Sequence, residues 1–296
     1  MKAIIPLLAG AAALPAQTPL AEAALIQDGR ADKVWIEAAS ERTIRYREKA
    51  ESLNRTDVPT REVAVTFFTP AEFTTAIDLY QNRQYEEAKA AFATAREKYA
   101  FVEDVPGNYS TLAGFYEIEC ARKLGQYEEM ETLFAKFQPE PLRDATHKLQ
   151  IRLYPLYNAL RTDDWSRLQG LCEEYDEREV PGGLRAQIEY CRGMALDGQG
   201  QLEDALIAFN KAFVADYTAS EVLTRKAALA CLAIYQKHPD VELARKLHGK
   251  PEEDPNSKGA GLLLEAAALA EMWNKALGRG EALPPEYQEF LKYKKA

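Results

Sequence analysis

Residues 200–213 read GQLEDALIAFNKAF, and a nearly identical pattern occupies residues 82–95, NRQYEEAKAAFATA. Each stretch has a polar turn and two acidic residues, followed by an alanine, a phenylalanine one helical turn later and a further alanine one turn beyond that. Residues three and four apart lie on the same face of an α-helix. The two stretches therefore predict amphipathic helices built to the same plan.

Weaker copies of this pattern occur in the rest of the chain. The first small or apolar position of the pattern recurs at Ala88, Met130, Leu168, Ala205 and Ala244. The copies resemble the tetratricopeptide repeat, a helix–turn–helix unit of about 34 residues with small residues where its two helices cross. The spacing between the copies is longer than this unit, which indicates longer helices or linkers.

The resemblance implies an α-hairpin solenoid, in which each hairpin buries its apolar side against the next one. It covers residues 69–258, and the small residue of the first helix of a unit is matched by Ala76 in one copy and by Gly193 in another. Thr69 before Pro70 is typical of a helix start. We expect residues 259–296 to form a C-terminal capping helix and a tail. The rival interpretation of the same helices is an irregular bundle.

Residues 24–68 follow a different period. Apolar residues alternate with polar ones around Val34 and Ile36 and again around Val65, and Asp28-Gly29 is a turn signal. These features predict a small antiparallel β module of four or five strands, similar in layout to SH3-like or Sm-like mini-barrels. The predicted fold class is therefore mainly α, with a small N-terminal β module.

Residues 1–23 have the pattern of a secretory signal peptide. Lys2 precedes an apolar run that ends at Leu14, and Ala21-Glu22-Ala23 matches an A-x-A cleavage pattern. The apolar run is shorter than the roughly 20 residues that span a bilayer. We expect export to the periplasm or the extracellular space, with cleavage after Ala23, and no transmembrane span.

Charge and cysteine content restrict the partners and leave the redox state open. The formal net charge is −9, which disfavours contact with nucleic acid. The chain has 4 cysteines. In an oxidising compartment Cys172 and Cys191 could form a disulfide, and the favoured alternative is that all of them are buried thiols.

The chain lacks the sequence signatures of common catalytic sites. Phosphate-binding, zinc-protease and hydrolase motifs are absent, and His147, His238 and His248 are dispersed without metal-ligand spacing. The sequence therefore predicts neither a catalytic residue nor a metal site nor a cofactor.

The resemblance does imply a binding surface. In this family, side chains of the first helix of each unit form a concave groove that holds a peptide. The matching positions here are Phe73, Tyr80, Phe115, Arg122, Lys123, Tyr157, Arg161, Tyr190 and Lys226. Aromatic and basic side chains suit an extended or helical peptide with acidic character.

The predicted function is that of a non-catalytic, exported adaptor or scaffold that mediates protein–protein interactions in the cell envelope. A first alternative is an accessory factor of outer-membrane assembly or of cell division. A second alternative is a glycan-binding or enzymatic protein that uses the β module, with Trp35 and Tyr46 as a stacking surface. The identity of the partner and the oligomeric state do not follow from the sequence.

Overall fold

The computed structural model describes residues 19–215 and 221–294. Most of the predicted signal peptide, residues 1–18, lies outside the described residues. The chain divides into two compact units, Met1–Cys120 with Lys136–Arg143, and Ala121–Ala135 with Asp144–Ala296. Among the described residues, no helix combines the length and the hydropathy needed to cross a membrane.

The first unit begins with a five-stranded antiparallel sheet, as the alternating pattern predicts. The strands, in chain order, are β1 Ala21–Gln27, β2 Arg30–Ala39, β3 Thr43–Arg47, β4 Thr56–Pro59 and β5 Ala64–Phe67, and their order in the sheet is β4-β3-β2-β1-β5. Asp28 and Gly29 have positive φ angles of 50° and 78° and join β1 to β2, since a two-residue hairpin turn requires this conformation.

One face of the sheet forms a hydrophobic core. Val34, Ile36 and Ile44 are buried on this face and pack with Tyr99 and Val102, next to the 3₁₀ turn Ala100–Val102. Ala21 and Ala23 belong to the same core. The sheet therefore begins at Ala21, upstream of residue 24, where the sequence pattern placed the start of the β module.

Helices follow the sheet within the first unit. They are α1 Ala71–Gln81, α2 Tyr85–Lys98 and α3 Tyr109–Leu124, of which the last contributes residues to both units. Ala76 on α1 and Ala88 on α2 have no exposed surface, and neither does Phe92. The small and aromatic positions of the repeated pattern are thus core positions in this hairpin.

The second unit is helical throughout its described part. Its further α-helices are α4 Tyr127–Phe134, α5 Ala145–Ile151, α6 Tyr154–Arg161, α7 Trp165–Glu173, α8 Gly182–Gly198, α9 Leu202–Ala215, α10 Glu221–Lys237, α11 Pro239–Leu247 and α12 Lys258–Met272. α12 packs against α10 and α11 and continues into a π-helical turn, Trp273–Leu277. The C-terminal segment forms a 3₁₀ helix, Pro285–Tyr293.

α8 and α9 cross closely at a glycine. A Cβ atom added to Gly193 would lie 2.6 Å from the Phe209 ring, which is far inside van der Waals contact. Phe209 has no exposed surface and therefore has no space into which it could move. Ala205 and Ala212, which flank Phe209 on α9, are also buried. Close packing at this crossing thus depends on the glycine.

The cysteines are buried thiols, and none is bridged. Burial raises the pKa of the Cys172 thiol to about 12 and raises that of Cys191 well above its usual value. A thiol held in this protonated state reacts slowly with oxidants. The structure therefore favours the interpretation of the cysteines as packing residues.

Gly193→Ala is expected to lower the free energy of unfolding by about 1–3 kcal/mol, because the added methyl group overpacks the crossing with Phe209. Gly170 lies within α7 and has nothing within 4 Å of an added Cβ atom. Gly170→Ala should therefore stabilise the chain by roughly 0.5–1 kcal/mol, since alanine is the better helix former. Urea denaturation measures both changes, and equal effects of the two substitutions would contradict the packing argument.

Candidate interaction surfaces

The predicted groove residues of the first unit belong mainly to its core. Phe73 is buried, and its ring centroid lies 4.7 Å from that of Tyr109 and 5.6 Å from that of Phe92. Phe115 is buried too, and Tyr80 is half-buried against Tyr116. These positions do not form the exposed wall that the resemblance implies.

In the second unit the predicted residues separate into three groups. Tyr190 is buried against Phe209, with ring centroids 5.8 Å apart. Arg161 is exposed at the end of α6 and donates to Glu128 over 2.6 Å and to Asn158 over 3.0 Å. The remaining predicted residues of this unit converge on one place.

Arg122 and Lys123 at the end of α3, Tyr157 on α6 and Lys226 on α10 line a single shallow cleft. Tyr127 on α4 completes the set, which we call the cation–tyrosine cleft. The enclosed volume is about 10 Å³, which is room for about one water molecule. A ligand of this cleft must therefore lie across its surface.

Arg122 and Lys226 each lie against a tyrosine ring of the cleft. The Arg122 guanidinium carbon is 5.4 Å from the ring centroid of Tyr157, and the Lys226 Nζ is 5.6 Å from that of Tyr127. Arg122 also donates to the Tyr157 hydroxyl over 3.2 Å. Such cation–π contacts hold a charge near a low-dielectric surface without neutralising it.

Burial changes the protonation behaviour of this cleft. The pKa of Lys226 is lowered, chiefly because its ammonium group is partly desolvated and also because of the positive charge of Arg122. Burial raises the pKa of Tyr127 to about 12. Tyr127 therefore stays a neutral hydrogen-bonding group at physiological pH, whereas an anion placed beside Lys226 and Arg122 would relieve their mutual repulsion.

A buried amide network supports the cleft from below. The Tyr157 hydroxyl donates to Gln187 Oε1 over 2.8 Å, and the side chains of Gln187 and Gln150 exchange hydrogen bonds of 2.8 Å and 2.9 Å. Both glutamines are buried. The sequence signal for this network is weak, since it consists only of a polar residue at a position where the helical period predicts an apolar one.

Trp35 and Tyr46 do not form one stacking surface. Tyr46 lies opposite Ile36 in the sheet and packs against the core, whereas Trp35 lies opposite Arg47 on the other face. Residues paired across antiparallel strands point to the same side, so the two rings are on opposite faces. The Lys33 ammonium instead lies 5.2 Å from the Trp35 ring centroid and 5.7 Å from that of Phe68.

Glu37 organises charges on the outer face of the same sheet. Arg55 contacts its carboxylate through two hydrogen bonds of 2.7 Å and 3.0 Å, and Arg47 lies 3.0 Å away. Hydrogen bonds from Arg55 and then from Arg47 lower the pKa of Glu37 to about 2. This cluster stabilises the β2–β3 pairing while the carboxylate is ionised.

Within residues 19–215 and 221–294, no group of three or more His, Cys, Asp or Glu side chains is arranged to hold a metal ion. No family model, curated protein or solved structure matches the chain. The function must therefore be argued from the surfaces themselves.

Gln187→Leu is expected to lower the free energy of unfolding by about 1–3 kcal/mol, because it leaves the buried Gln150 amide without its partner. The double variant Gln150→Leu/Gln187→Leu should recover part of this loss, since removal of both partners leaves fewer unsatisfied groups. Gln201→Ala, at an exposed position, is the control. If the loss of unfolding free energy in the double variant equalled the sum of the losses in the two single variants, the two glutamines would not be coupled.

Glu37→Gln is expected to destabilise the chain at neutral pH and to have a smaller effect as the pH falls. A carboxylate with a lowered pKa contributes stability above its unfolded-state pKa of about 4.5 and loses it as the pH approaches about 2. The difference in stability between the wild type and Glu37→Gln should therefore shrink as the pH falls from about 5 to about 2. Thermal unfolding at several pH values measures it, and Glu41→Gln, at an exposed turn position, is the control.

Proposed function

We propose that the chain is a non-catalytic, exported adaptor of tetratricopeptide-like hairpins that binds another envelope protein. Two hairpins support the resemblance, α1 with α2 and α8 with α9. In each of them a small residue, Ala76 or Gly193, is buried at the position where the repeat places one, and the aromatic position, Phe92 or Phe209, is buried on the facing helix. The five-stranded antiparallel sheet agrees with a small β module of SH3-like or Sm-like layout.

The observation that carries this proposal is the convergence of Arg122, Lys123 and Lys226 on the cation–tyrosine cleft. Helices from separate parts of the sequence bring together these positive charges and the rings of Tyr127 and Tyr157. Arg122 and Tyr157 are themselves buried, so Lys123 and Lys226 are the cations that a ligand reaches first. Such a surface offers directional hydrogen bonds and charge to the carboxylates of an acidic segment. We therefore propose an acidic stretch of the partner as the ligand of the cleft.

The proposal includes export, and the position of β1 restricts where the signal peptide can be cleaved. Cleavage after Ala23 would remove Ala21 and Ala23, which are buried in the sheet and paired with Ile36 and Val34. We therefore propose that the signal peptidase cuts upstream of Leu20, where Ala11-Ala12-Ala13 matches the A-x-A pattern.

N-terminal sequencing of the chain purified from the envelope fraction tests this site. The mature chain should begin upstream of Leu20 and keep β1 complete, because cleavage after Ala23 would remove the part of β1 that pairs with Val34, Ile36 and Phe67. A mature chain that begins at Ala24 would contradict the proposal, and an unprocessed chain would contradict export by this route.

Affinity capture from envelope extracts, followed by quantitative mass spectrometry, tests the cleft. Lys123→Glu/Lys226→Glu should reduce the recovery of the specific partners by about tenfold or more, because the reversed charges repel an acidic segment; a tenfold loss corresponds to about 1.4 kcal/mol. Lys211→Glu, at an exposed position of α9, is the matched control. Circular dichroism and thermal unfolding establish that the double variant is folded. Equal recovery with both variants would refute the role of the cleft.

A further inference from the structure

A second surface lies in the helical unit, between α11, α12 and the loop that joins them. It is a groove of about 500 Å³, a volume in the usual range of ligand sites. Leu243 and Leu247 of α11 and Leu263 and Leu264 of α12 provide its apolar floor. Leu243 is 56% exposed although it is a large apolar residue. We call this surface the α11–α12 groove.

The walls of the groove are held in place by specific contacts. A Cβ atom at Gly259 would lie 2.2 Å from the Asp240 carbonyl oxygen, so the first turn of α12 lies directly on α11. In the connecting loop, Glu253 accepts hydrogen bonds from the Gly249 N–H over 2.7 Å and contacts His248 Nδ1 over 2.9 Å. Ser257 accepts a hydrogen bond from the Ala260 N–H over 3.2 Å and so caps α12. The groove is therefore preformed.

The polar rim of the groove is acidic. Its carboxylates are those of Asp240, Glu252, Glu253 and Asp254, and its lysine is Lys258. Lys258 is already engaged by Glu203 and lies 3.8 Å from Asp240. Hydrogen bonds from Gly249 and His248 lower the pKa of Glu253, which keeps that carboxylate ionised. An occupant of the groove thus meets an apolar floor and a negative rim.

We propose that the α11–α12 groove binds an amphipathic helix whose apolar stripe enters the groove and whose flanks carry lysine or arginine. Leu243 and Leu247 are one helical turn apart, which matches anchors at i, i+3, i+4 and i+7 of a facing helix. α11 has 9 residues and is about 14 Å long, so it covers between two and three turns of the ligand. The inference rests on the proposed function as an adaptor, to which it adds a second binding surface of opposite charge preference.

Charge argues against the other occupants. The chain has a net charge of −9, so a second copy would bring a like-charged rim against this one. An anionic lipid surface would be repelled for the same reason. A small neutral solute would satisfy the apolar floor and leave the acidic rim without a role.

The test measures fluorescence anisotropy of labelled 14-residue peptides with the full chain. One peptide has leucine at i, i+3, i+4, i+7 and i+11 with lysine elsewhere, a second has glutamate in place of lysine, and a third has alanine in place of leucine. The comparison is made in the Lys123→Glu/Lys226→Glu variant, in which the acidic peptide has no binding site at the cation–tyrosine cleft. There the leucine–lysine peptide should bind at least about tenfold more tightly than either of the others, a ratio that corresponds to about 1.4 kcal/mol.

Two variants locate the binding. Leu243→Asp should weaken the leucine–lysine peptide at least about tenfold, although it adds a negative charge; non-specific attraction of the cationic peptide would instead become stronger. Ile207→Asp, on α9 at a position that is 54% exposed, adds the same charge elsewhere and should change nothing. Glu252→Lys should weaken the binding of the leucine–lysine peptide and reduce the ratio of its affinity to that of the leucine–glutamate peptide.

The opposite outcomes are equally distinct. Peptide binding that Leu243→Asp leaves intact overturns the proposal. If the neutral dye N-phenyl-1-naphthylamine binds in a Leu243-dependent way and the peptide does not bind, the ligand is a small apolar molecule. If the chain instead forms a Leu243-dependent dimer in sedimentation and the peptide does not bind, the occupant is a second copy. Either result overturns the proposal. If the peptide does not bind the α11–α12 groove, the capture experiment still tests the cation–tyrosine cleft independently. If the peptide binds the α11–α12 groove but Lys123→Glu/Lys226→Glu still captures every partner, only the role of the cation–tyrosine cleft is refuted.

Discussion

The helical part of the chain depends on the close approach of helices at small residues. Two helices of a hairpin can pack closely only where the side chains at their crossing are small. At Gly193 this approach leaves no room even for a methyl group against Phe209. The same combination of small residues and a buried phenylalanine occurs around Ala88 and Phe92.

The two proposed surfaces arise from this packing in different ways. At the cation–tyrosine cleft the ends and faces of α3, α4, α6 and α10 meet, and the amides of Gln150 and Gln187 satisfy one another beneath them. At the α11–α12 groove the helices touch at Gly259, and Leu243 remains exposed. The first surface is positive and very small, and the second is negative and much larger. A chain with both would hold two partners of opposite charge.

Much of the local structure could be predicted from the sequence. The turn at Asp28-Gly29, the strands around Val34 and Val65, and the helices that carry Phe92 and Phe209 are present in the structure. The groove residues were less predictable, because the repeat frame identifies one helix face and cannot tell which neighbour covers it. Phe73, Phe115 and Tyr190 are covered, whereas Lys226 reaches a cleft. The sequence pattern does not fix the faces of Trp35 and Tyr46, because these depend on the β2–β3 register, which pairs Trp35 with Arg47 and Tyr46 with Ile36.

The sequence by itself determined the periods of the elements, since the spacing of apolar residues along a strand or helix is a local property. It thereby determined a small antiparallel sheet followed by helices, and the residues that must be buried within each hairpin. Only the tertiary structure decided that Ala21 belongs to the sheet, that Arg122 and Lys226 meet, and that Leu243 stays uncovered. These features depend on contacts between residues far apart in the chain, and no local pattern encodes which surfaces such contacts leave open.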